Sequence, residues 1–185
     1  MKQALIIVDV QREYFPGGKL ALYEPEKTLV RIQKVLQFFQ AQEWPVYFIR
    51  HVSTKENAAI FLPGTAGVEL HPALMPRAGE TILDKHFPNS FFGTGLRERL
   101  AAQEIRHIVV CGMMTHMCID TTVRAAQNDG FTVTLLEDAC TGTTLKWNGE
   151  TVSYPTVHAV MMASINGTFA TVEKTESFLQ KHQES

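Results

Sequence analysis

The sequence lacks the features that mark membrane and nucleic-acid-binding proteins. None of its apolar runs approaches the ~20 residues that a membrane-spanning helix needs. The net charge of −2 comes without any dense cluster of lysine and arginine, so nothing favours a polyanionic partner. The opening stretch "MKQALIIVDVQREYF" has no small-residue cleavage site of the kind that ends a signal peptide, and it reads as a strand. We therefore expect neither a membrane nor a nucleic acid as partner.

Cysteine is scarce, and its spacing does not suggest a disulfide framework. There are three cysteines, Cys111, Cys118 and Cys140, and an odd number argues against a disulfide-stabilised fold. Unpaired thiols persist in reducing compartments, so we expect a cytoplasmic protein. The patterns around Cys111 and Cys140 are more consistent with small buried core residues, whereas Cys118 follows a turn and begins a helix-like segment.

The composition is that of an ordinary globular domain. The chain has 185 residues, of which 45% are hydrophobic and 19% charged. This length can bury a sizeable core but is too short for two full domains, so we expect a single domain over residues 1–185. No internal repeat, low-complexity tract or linker divides it.

Short apolar runs alternate with longer amphipathic segments, and this alternation predicts an α/β fold. The predicted strands are "ALIIVDV", "PVYFIRH", "TILDK", "RHIVVCG", "FTVTLLEDA" and "ATVEKT". The predicted helices are "PEKTLVRIQKVLQFFQAQ", "GLRERLAAQ", "CIDTTVRAAQNDG", "PTVHAVMMASINGTF" and a short "ESFLQKHQES". Strand–helix alternation gives a parallel sheet covered on both faces, so we expect a three-layer α/β/α arrangement with six parallel strands. The turn-rich stretch between Val52 and Gly79 is long enough to have a functional role.

Three ionisable residues lie at predicted strand ends. Asp9 ends the first strand, Lys85 ends the third, and Cys118 follows the fourth. Ligands of open parallel sheets bind outside the carboxyl ends of the strands, so this convergence predicts a reactive site. Each residue also has a plain structural reading: Asp9 as a loop cap or ion-pair partner, Lys85 as a solvated lysine, Cys118 as a core residue.

A thiol at a helix N-terminus has a chemical use. The free backbone N–H groups and the helix dipole stabilise a thiolate, so we expect the pKa of Cys118 to be lowered. The same N–H groups can receive the oxyanion that forms when a thiolate attacks a carbonyl. Asp9 could accept the thiol proton and later deliver it to a leaving amine, while the charge of Lys85 would hold both anions.

Three motifs resemble those of the isochorismatase-like cysteine hydrolases. They are "DVQREYF" after the first strand, "KHFPNSFFGTGL", and "VVCGMMTHMCIDTTVRAAQNDGF", in the family's order and spacing. The resemblance extends from about residue 4 to residue 139. It implies a six-stranded parallel sheet flanked by helices and a catalytic triad of Asp9, Lys85 and Cys118.

The resemblance also implies how the nucleophile is presented. It places a non-proline cis peptide bond between Met113 and Met114, and an oxyanion hole formed by the N–H groups of Met114 and Cys118. For the substrate pocket it suggests residues of the three motifs, although core or loop packing is an equal alternative for each. These residues are Gln11, Tyr14, Phe15, Asn89, Phe91, Phe92, Met113, His116 and Met117. Trp147 lies in a predicted loop that could cover the site or contact a second subunit.

We expect no metal and no cofactor. Nicotinamidases of the same superfamily bind a metal through an Asp-x-His pair after the second strand, and this sequence has His51 and His71 there without that pair. His51 is read as a strand-end residue that could face the pocket. The stretch "GTGLRE" has Glu98 where a dinucleotide-binding loop needs its third glycine, so we reject that reading. A Cys–His dyad with His116 is disfavoured because His116 lies too close to Cys118 in the chain.

These features predict a hydrolase that cleaves a C–N bond in a small carboxamide or ureide through a thioester on Cys118. Members of the family that cleave the vinyl ether of isochorismate tend to lack the cysteine, so the presence of Cys118 favours hydrolysis of an amide or ureide. The alternatives are vinyl ether hydrolysis of the isochorismate type and a non-catalytic binding module. Fast, selective labelling of Cys118 by iodoacetamide would favour the enzyme over the module. The resemblance further implies a homodimer or homotetramer.

Overall fold

The computed structural model describes residues 2–183, and its centre is a parallel β-sheet of six strands. The strands are β1 (Gln3–Val8), β2 (Val46–His51), β3 (Thr81–Lys85), β4 (His107–Met113), β5 (Thr132–Thr141) and, numbered after a separate hairpin, β8 (Thr171–Glu173). Their order across the sheet is β3-β2-β1-β4-β5-β8. All six predicted strands are confirmed, and neighbouring strands run parallel as expected.

Five helices cover the two faces of this sheet. They are α1 (Pro25–Ala41), α2 (Leu96–Ala102), α3 (Asp120–Asn128), α4 (Tyr154–Ile165) and α5 (Thr175–Gln183). Alternation along β1 separates the two faces: Leu5 and Ile7 join the core formed with α1 and α5, whereas Ala4, Ile6 and Val8 join the core formed with α2, α3 and α4. Both faces of the central strands are therefore buried, which explains their continuous apolar runs.

The strand order reverses direction between β1 and β4. Chain order runs outward from β1 through β2 to β3 on one side, and from β4 through β5 to β8 on the other. The crevice at such a reversal is where open α/β sheets bind ligands. We therefore expect a ligand-binding site at the carboxyl ends of β1 and β4.

Gly112 allows β1 and β4 to approach closely at this crevice. Its φ is +127°, and a Cβ at this position would lie 2.0 Å from the carbonyl oxygen of Val8. The register between β4 and β5 also shifts between Val110 and Gly112. No residue with a side chain fits here without moving the backbone.

Two connections have structure that the sequence patterns did not predict. The stretch expected to be a loop around Trp147 is an antiparallel hairpin of β6 (Leu145–Trp147) and β7 (Glu150–Val152). Asn148 and Gly149 join the two strands, both with positive φ, as a two-residue hairpin turn requires. The long segment 52–80 contains a single 3₁₀ turn at Ala66–Val68 within the described chain. Of the helices in residues 2–183, none combines the length and apolarity needed to cross a bilayer.

Candidate active site

Asp9 directly follows β1 and is fully buried. Its backbone adopts a left-handed conformation, with φ of +52°, which is uncommon for a residue with a side chain. Its N–H donates to the carbonyl of Ile49 on the neighbouring strand at 3.0 Å. Strained backbone of this kind is found preferentially at functional sites.

Lys85 is the last residue of β3, and its side chain is also buried. The ammonium Nζ lies 2.7 Å from Oδ2 of Asp9. It donates a hydrogen bond to Sγ of Cys118 at 3.2 Å, and it lies 3.0 Å from Nδ1 of His51. His51 and Lys85 face each other in the β2–β3 register, so neighbouring strands hold both. One buried cation thus contacts a carboxylate, a thiol and an imidazole.

Cys118 lies inside a helical turn that follows β4. The peptide bond between Met113 and Met114 is cis. A π-helical turn spans Thr115–Ile119 and leads directly into α3. The carbonyl of Met114 accepts hydrogen bonds from the N–H groups of Met117 at 3.0 Å and Ile119 at 3.2 Å. The helical segment therefore begins at Thr115, three residues earlier than the sequence pattern suggested.

Burial determines the protonation of the thiol. It raises the pKa of Cys118 far above its ordinary value, and the nearby charge of Asp9 raises the pKa further, whereas Lys85 acts in the opposite direction. The expectation of a lowered pKa for Cys118 is therefore wrong. The helix terminus and the ammonium do not compensate for the loss of water around a sulfur that is only 5% exposed.

Burial also raises the pKa of Asp9, although the charge of Lys85 and hydrogen bonds with Lys85 and Cys118 lower it. The thiol is thus the weaker acid at rest, and the carboxylate close to it is a suitable acceptor for its proton. The sulfur and a carboxylate oxygen of Asp9 lie within 4.8 Å of each other.

A cavity of about 350 Å³ reaches the sulfur. Its wall combines apolar side chains with hydroxyl and cationic groups, and much of it comes from the long segment after β2. The lining residues are Tyr14, His51, Ser53, Thr54, Lys55, Ala58, Ala59, Ile60, Phe61, His86, Pro88, Met114, Met117 and Cys118.

The isochorismatase domain family matches residues 3–177 of this chain. The chain belongs to the isochorismatase family. It is similar to the isochorismatase family protein YddQ of Bacillus subtilis, with 44% identity over 97% of this chain and 100% of YddQ. The structure of an isochorismatase hydrolase from Oleispira antarctica superposes with a TM-score of 0.91, at 35% identity over 97% of this chain and 96% of that one. The ureidoacrylate amidohydrolase RutB of Acinetobacter baylyi is 30% identical over 62% of this chain and 43% of RutB.

Of the residues expected in the pocket of this isochorismatase-family chain, Tyr14 and Met117 line the cavity, as does Met114. Gln11 does not: it is fully buried, and its side chain binds backbone groups of His51 and Val68. Gln11 therefore supports the backbone next to the cavity and does not itself line the cavity.

Six other expected pocket residues do not line the cavity. Phe15 is buried against His71, with ring centroids 4.3 Å apart, and Met113 is part of the core. Asn89 accepts a hydrogen bond from the N–H of Phe91 within its own loop.

The remaining three expected residues and Trp147 point elsewhere. Phe91 packs against Phe131, and the exposed Phe92 packs against Phe87. The ring of His116 lies against Gly142 and does not line the cavity. Trp147 is 75% exposed on its hairpin and does not line the cavity.

His51 lies closer to the reactive group than the sequence motifs indicate. Its strand-end position predicts that it could face the pocket, and the structure places it both in the cavity wall and against Lys85. Its position at a strand end was the available signal, the same one that identified Asp9 and Lys85. Residues 53–61 of the wall carry no periodicity or motif that could have indicated their place.

Asp9, His51 and Cys118 form the one group in the described chain with the donor types and spacing of a metal site. Each of them, however, lies within 2.7–3.2 Å of Nζ of Lys85. The ammonium thus occupies the centre of the donor set, where a metal ion would have to bind. This donor set fits a resident lysine better than a resident metal, because a divalent ion there would meet an adjacent positive charge.

Proposed function

We propose that this protein hydrolyses a C–N bond in a small carboxamide or ureide, with Cys118 as nucleophile. The observation that carries the proposal is the contact of one buried ammonium with both a carboxylate and a thiol next to a cavity. A thiol that served only to fill the core would not need a buried ion pair beside it, since burying two charges is costly.

The reaction begins with proton transfer. Asp9 takes the proton from the Cys118 thiol as the sulfur attacks the substrate carbonyl, and Lys85 stabilises the negative charge that moves from carboxylate to sulfur. The N–H groups of Met114 and Cys118 hold the oxyanion of the tetrahedral intermediate. When the intermediate collapses, the C–N bond breaks and Asp9 returns the proton to the leaving nitrogen. Ammonia or an amine departs, and a thioester remains on Cys118.

Hydrolysis of the thioester reverses these roles. Asp9 removes a proton from water, the hydroxide attacks the thioester carbonyl, and the same two N–H groups hold the second oxyanion. The C–S bond breaks, the carboxylic acid leaves, and the proton on Asp9 returns to the sulfur. Because Asp9 accepts the proton as the sulfur attacks, this mechanism does not require a thiolate before the substrate binds.

Two observations support a small substrate with a C–N bond. The cavity of about 350 Å³ lies at the lower end of the size range of ligand pockets. RutB, whose name describes an amidohydrolase, is among the relatives of this chain. Single-domain organisation, cytoplasmic location and assembly into a homodimer or homotetramer stay predictions from the sequence.

The test measures ammonia release from a panel of small carboxamides, carbamoyl compounds and nicotinamide, with intact-mass detection of an acyl group on Cys118. Cys118→Ala should abolish turnover and acylation, while the matched control Cys140→Ala, which removes another buried thiol, should keep both. Turnover by Cys118→Ala near the wild-type rate would contradict covalent catalysis. Absence of any turnover or acyl adduct across the panel would contradict the proposal as a whole.

Chelation provides an independent arm of this test. Activity should be unchanged after incubation with EDTA or 1,10-phenanthroline, because the ammonium of Lys85 occupies the centre of the donor set. Loss of activity that zinc or iron restores would contradict the metal-free mechanism.

A further inference from the structure

His51 contacts Lys85 but has no role in the reaction steps proposed above. Its Nδ1 lies 3.0 Å from Nζ of Lys85, whose other two short contacts go to Asp9 and Cys118. A lysine ammonium has three N–H donors and no acceptor. Hydrogen bonds with His51 and Cys118 and the ion pair with Asp9 together surround the ammonium, and His51 offers it a nitrogen acceptor.

This contact determines the state of the imidazole ring. Nδ1 can accept from an ammonium only if it carries no proton itself, so the ring is neutral and its proton is on Nε2. Burial, followed by the charge of Lys85 and the proximity of His86, lowers the pKa of His51 to about 4, in agreement with a neutral ring near neutral pH.

Both the main chain and the ring of His51 are held in place by neighbouring side chains. The Gln11 side chain accepts from the His51 N–H at 2.8 Å and donates to the His51 carbonyl at 2.8 Å. Phe61 packs against the ring, with centroids 5.2 Å apart. A residue positioned this firmly presents its free nitrogen in one direction.

We propose that His51 connects the reactive group to the substrate: Nδ1 positions Lys85, and Nε2–H donates a hydrogen bond to an acceptor atom beside the scissile carbonyl. This inference rests on the proposed function. His51 lines the cavity, and no hydrogen bond to Nε2 is formed within residues 2–183. The substrate class it predicts is an amide with a second oxygen or nitrogen acceptor close to the carbonyl.

The charges of the cavity wall favour binding of a substrate with such an acceptor atom. The lining residues include Lys55 and two histidines but no aspartate or glutamate. Nδ1 of His86 donates to the carbonyl of Val52 at 2.8 Å, which leaves Nε2 of His86 as its second polar atom. The cavity wall therefore holds no acidic side chain that would compete with the substrate for the proton on Nε2 of His51.

Two substitutions separate the two roles. In His51→Asn, the amide oxygen can replace Nδ1 as acceptor for Lys85, but the side chain is too short to replace Nε2. We expect kcat to stay within about threefold of wild type while KM rises about tenfold, the value of one lost hydrogen bond. In His51→Gln, the amide nitrogen reaches the position of Nε2, but the acceptor for Lys85 is lost. We expect KM to stay near wild type and kcat to fall at least about tenfold.

Equal loss of kcat in both variants with unchanged KM would reduce His51 to a structural residue and overturn the proposal, as would wild-type kinetics in both. Circular dichroism and thermal unfolding identify a variant that fails to fold. His107→Gln changes a partly buried histidine on β4 outside the cavity wall; it serves as the histidine control and should keep both kcat and KM.

Nitrogen-15 NMR of the wild-type protein tests the ring directly and needs no substrate. The His51 signals, assigned by their loss in His51→Asn, should show a neutral ring with the proton on Nε2 at pH 7. A proton on Nδ1 or a charged ring would overturn the proposal even if the enzyme is active. If no substrate in the panel is hydrolysed, the proposed function fails, and the NMR result still decides the state of His51.

Discussion

At the scale of single residues, the Asp9–Lys85 ion pair stands out because burying its two charges costs desolvation free energy. Both side chains are fully buried, so the charges have lost their water and depend on each other and on Cys118 and His51. An intact buried pair contributes little net stability, but removal of one member leaves an uncompensated charge. Stability therefore does not explain the presence of the ion pair, although breaking the pair should destabilise the protein.

We expect Asp9→Asn to lower the free energy of unfolding by about 3–5 kcal/mol, because the ammonium of Lys85 then has no counter-charge. Lys85→Met should be similarly costly at pH 8. The double variant should lose clearly less than the sum of the two, since it leaves no buried charge. Urea unfolding measures all three. Asp84→Asn, which breaks the half-exposed ion pair with Arg50, is the control and should cost at most about 1 kcal/mol. Additive losses in the double variant would refute the coupling.

The pH dependence of the Lys85→Met variant provides a second check. Without the ammonium, the charge and the hydrogen bond of Lys85 no longer lower the pKa of Asp9, and only the hydrogen bond with Cys118 still opposes the effect of burial. A carboxyl whose pKa is higher in the folded than in the unfolded state binds protons on folding, so stability increases as the pH falls through this window. The cost of Lys85→Met should thus be smaller at pH 5 than at pH 8. Equal costs at both values would show that Asp9 is solvated in the variant.

The sequence was sufficient to predict that Asp9, Lys85 and Cys118 meet at one edge of the sheet, where the structure brings them into contact, but not to assign their acidity. A residue at a strand end can be located from the apolar run before it. The direction of a pKa shift depends on how much water the folded chain removes, and residues distant in sequence decide that. For Cys118, the helix terminus and the buried position act in opposite directions, and burial is the stronger effect.

At the scale of secondary-structure elements, the approach of β1 and β4 places Asp9 next to the turn that carries Cys118. Gly112 is the position that makes this approach possible, because any Cβ there would overlap the carbonyl of Val8. The carbonyl belongs to the main chain of a central strand, so it cannot move aside as a flexible side chain would.

Gly112→Ala should therefore destabilise the protein by more than the ~1–2 kcal/mol that a left-handed alanine usually costs, and it should lower activity even where the fold persists. Gly130→Ala is the matched control: its φ is +84°, but no atom lies within 4 Å of the added Cβ. Urea unfolding and the rate of Cys118 acylation provide the two measurements. Equal effects of the two substitutions would show that backbone conformation, and not the contact with Val8, determines the need for glycine at position 112.

Periodicity was sufficient for most elements and insufficient for two. Strands β1, β2, β4 and β5 have runs of apolar residues, and α1 repeats them at helical spacing, so these elements were predictable. The hairpin around Trp147 was read as a loop because its strands have only three residues each, although the Asn148-Gly149 pair signals such a turn. The start at Thr115 was missed because Met114 supplies no side-chain cap to mark it.

At the scale of the whole molecule, the structure buries many groups that ionise in alkali. Burial raises the pKa values of all three cysteines, and also those of Tyr14, Tyr47 and Tyr154. Above the ordinary pKa of each group the unfolded chain releases a proton that the folded chain keeps. The folded state then binds more protons, so stability falls as the pH rises. The site shares this property with the core around it, since both exclude water.

Cys140 allows this alkaline loss to be measured for one group. It lies on β5 away from the cavity, and burial raises its pKa from an ordinary value of 9.0 to about 12. Between these values each pH unit should cost about 1.4 kcal/mol for this thiol alone. The cost of Cys140→Ala at pH 8 should therefore become smaller by about 1.4 kcal/mol at pH 10. Val133→Ala, a buried truncation on the same strand without a titrating group, should keep the same cost at both pH values. Urea unfolding under reducing conditions makes the comparison, and a pH-independent cost for Cys140→Ala would mean that water reaches this thiol in the folded protein.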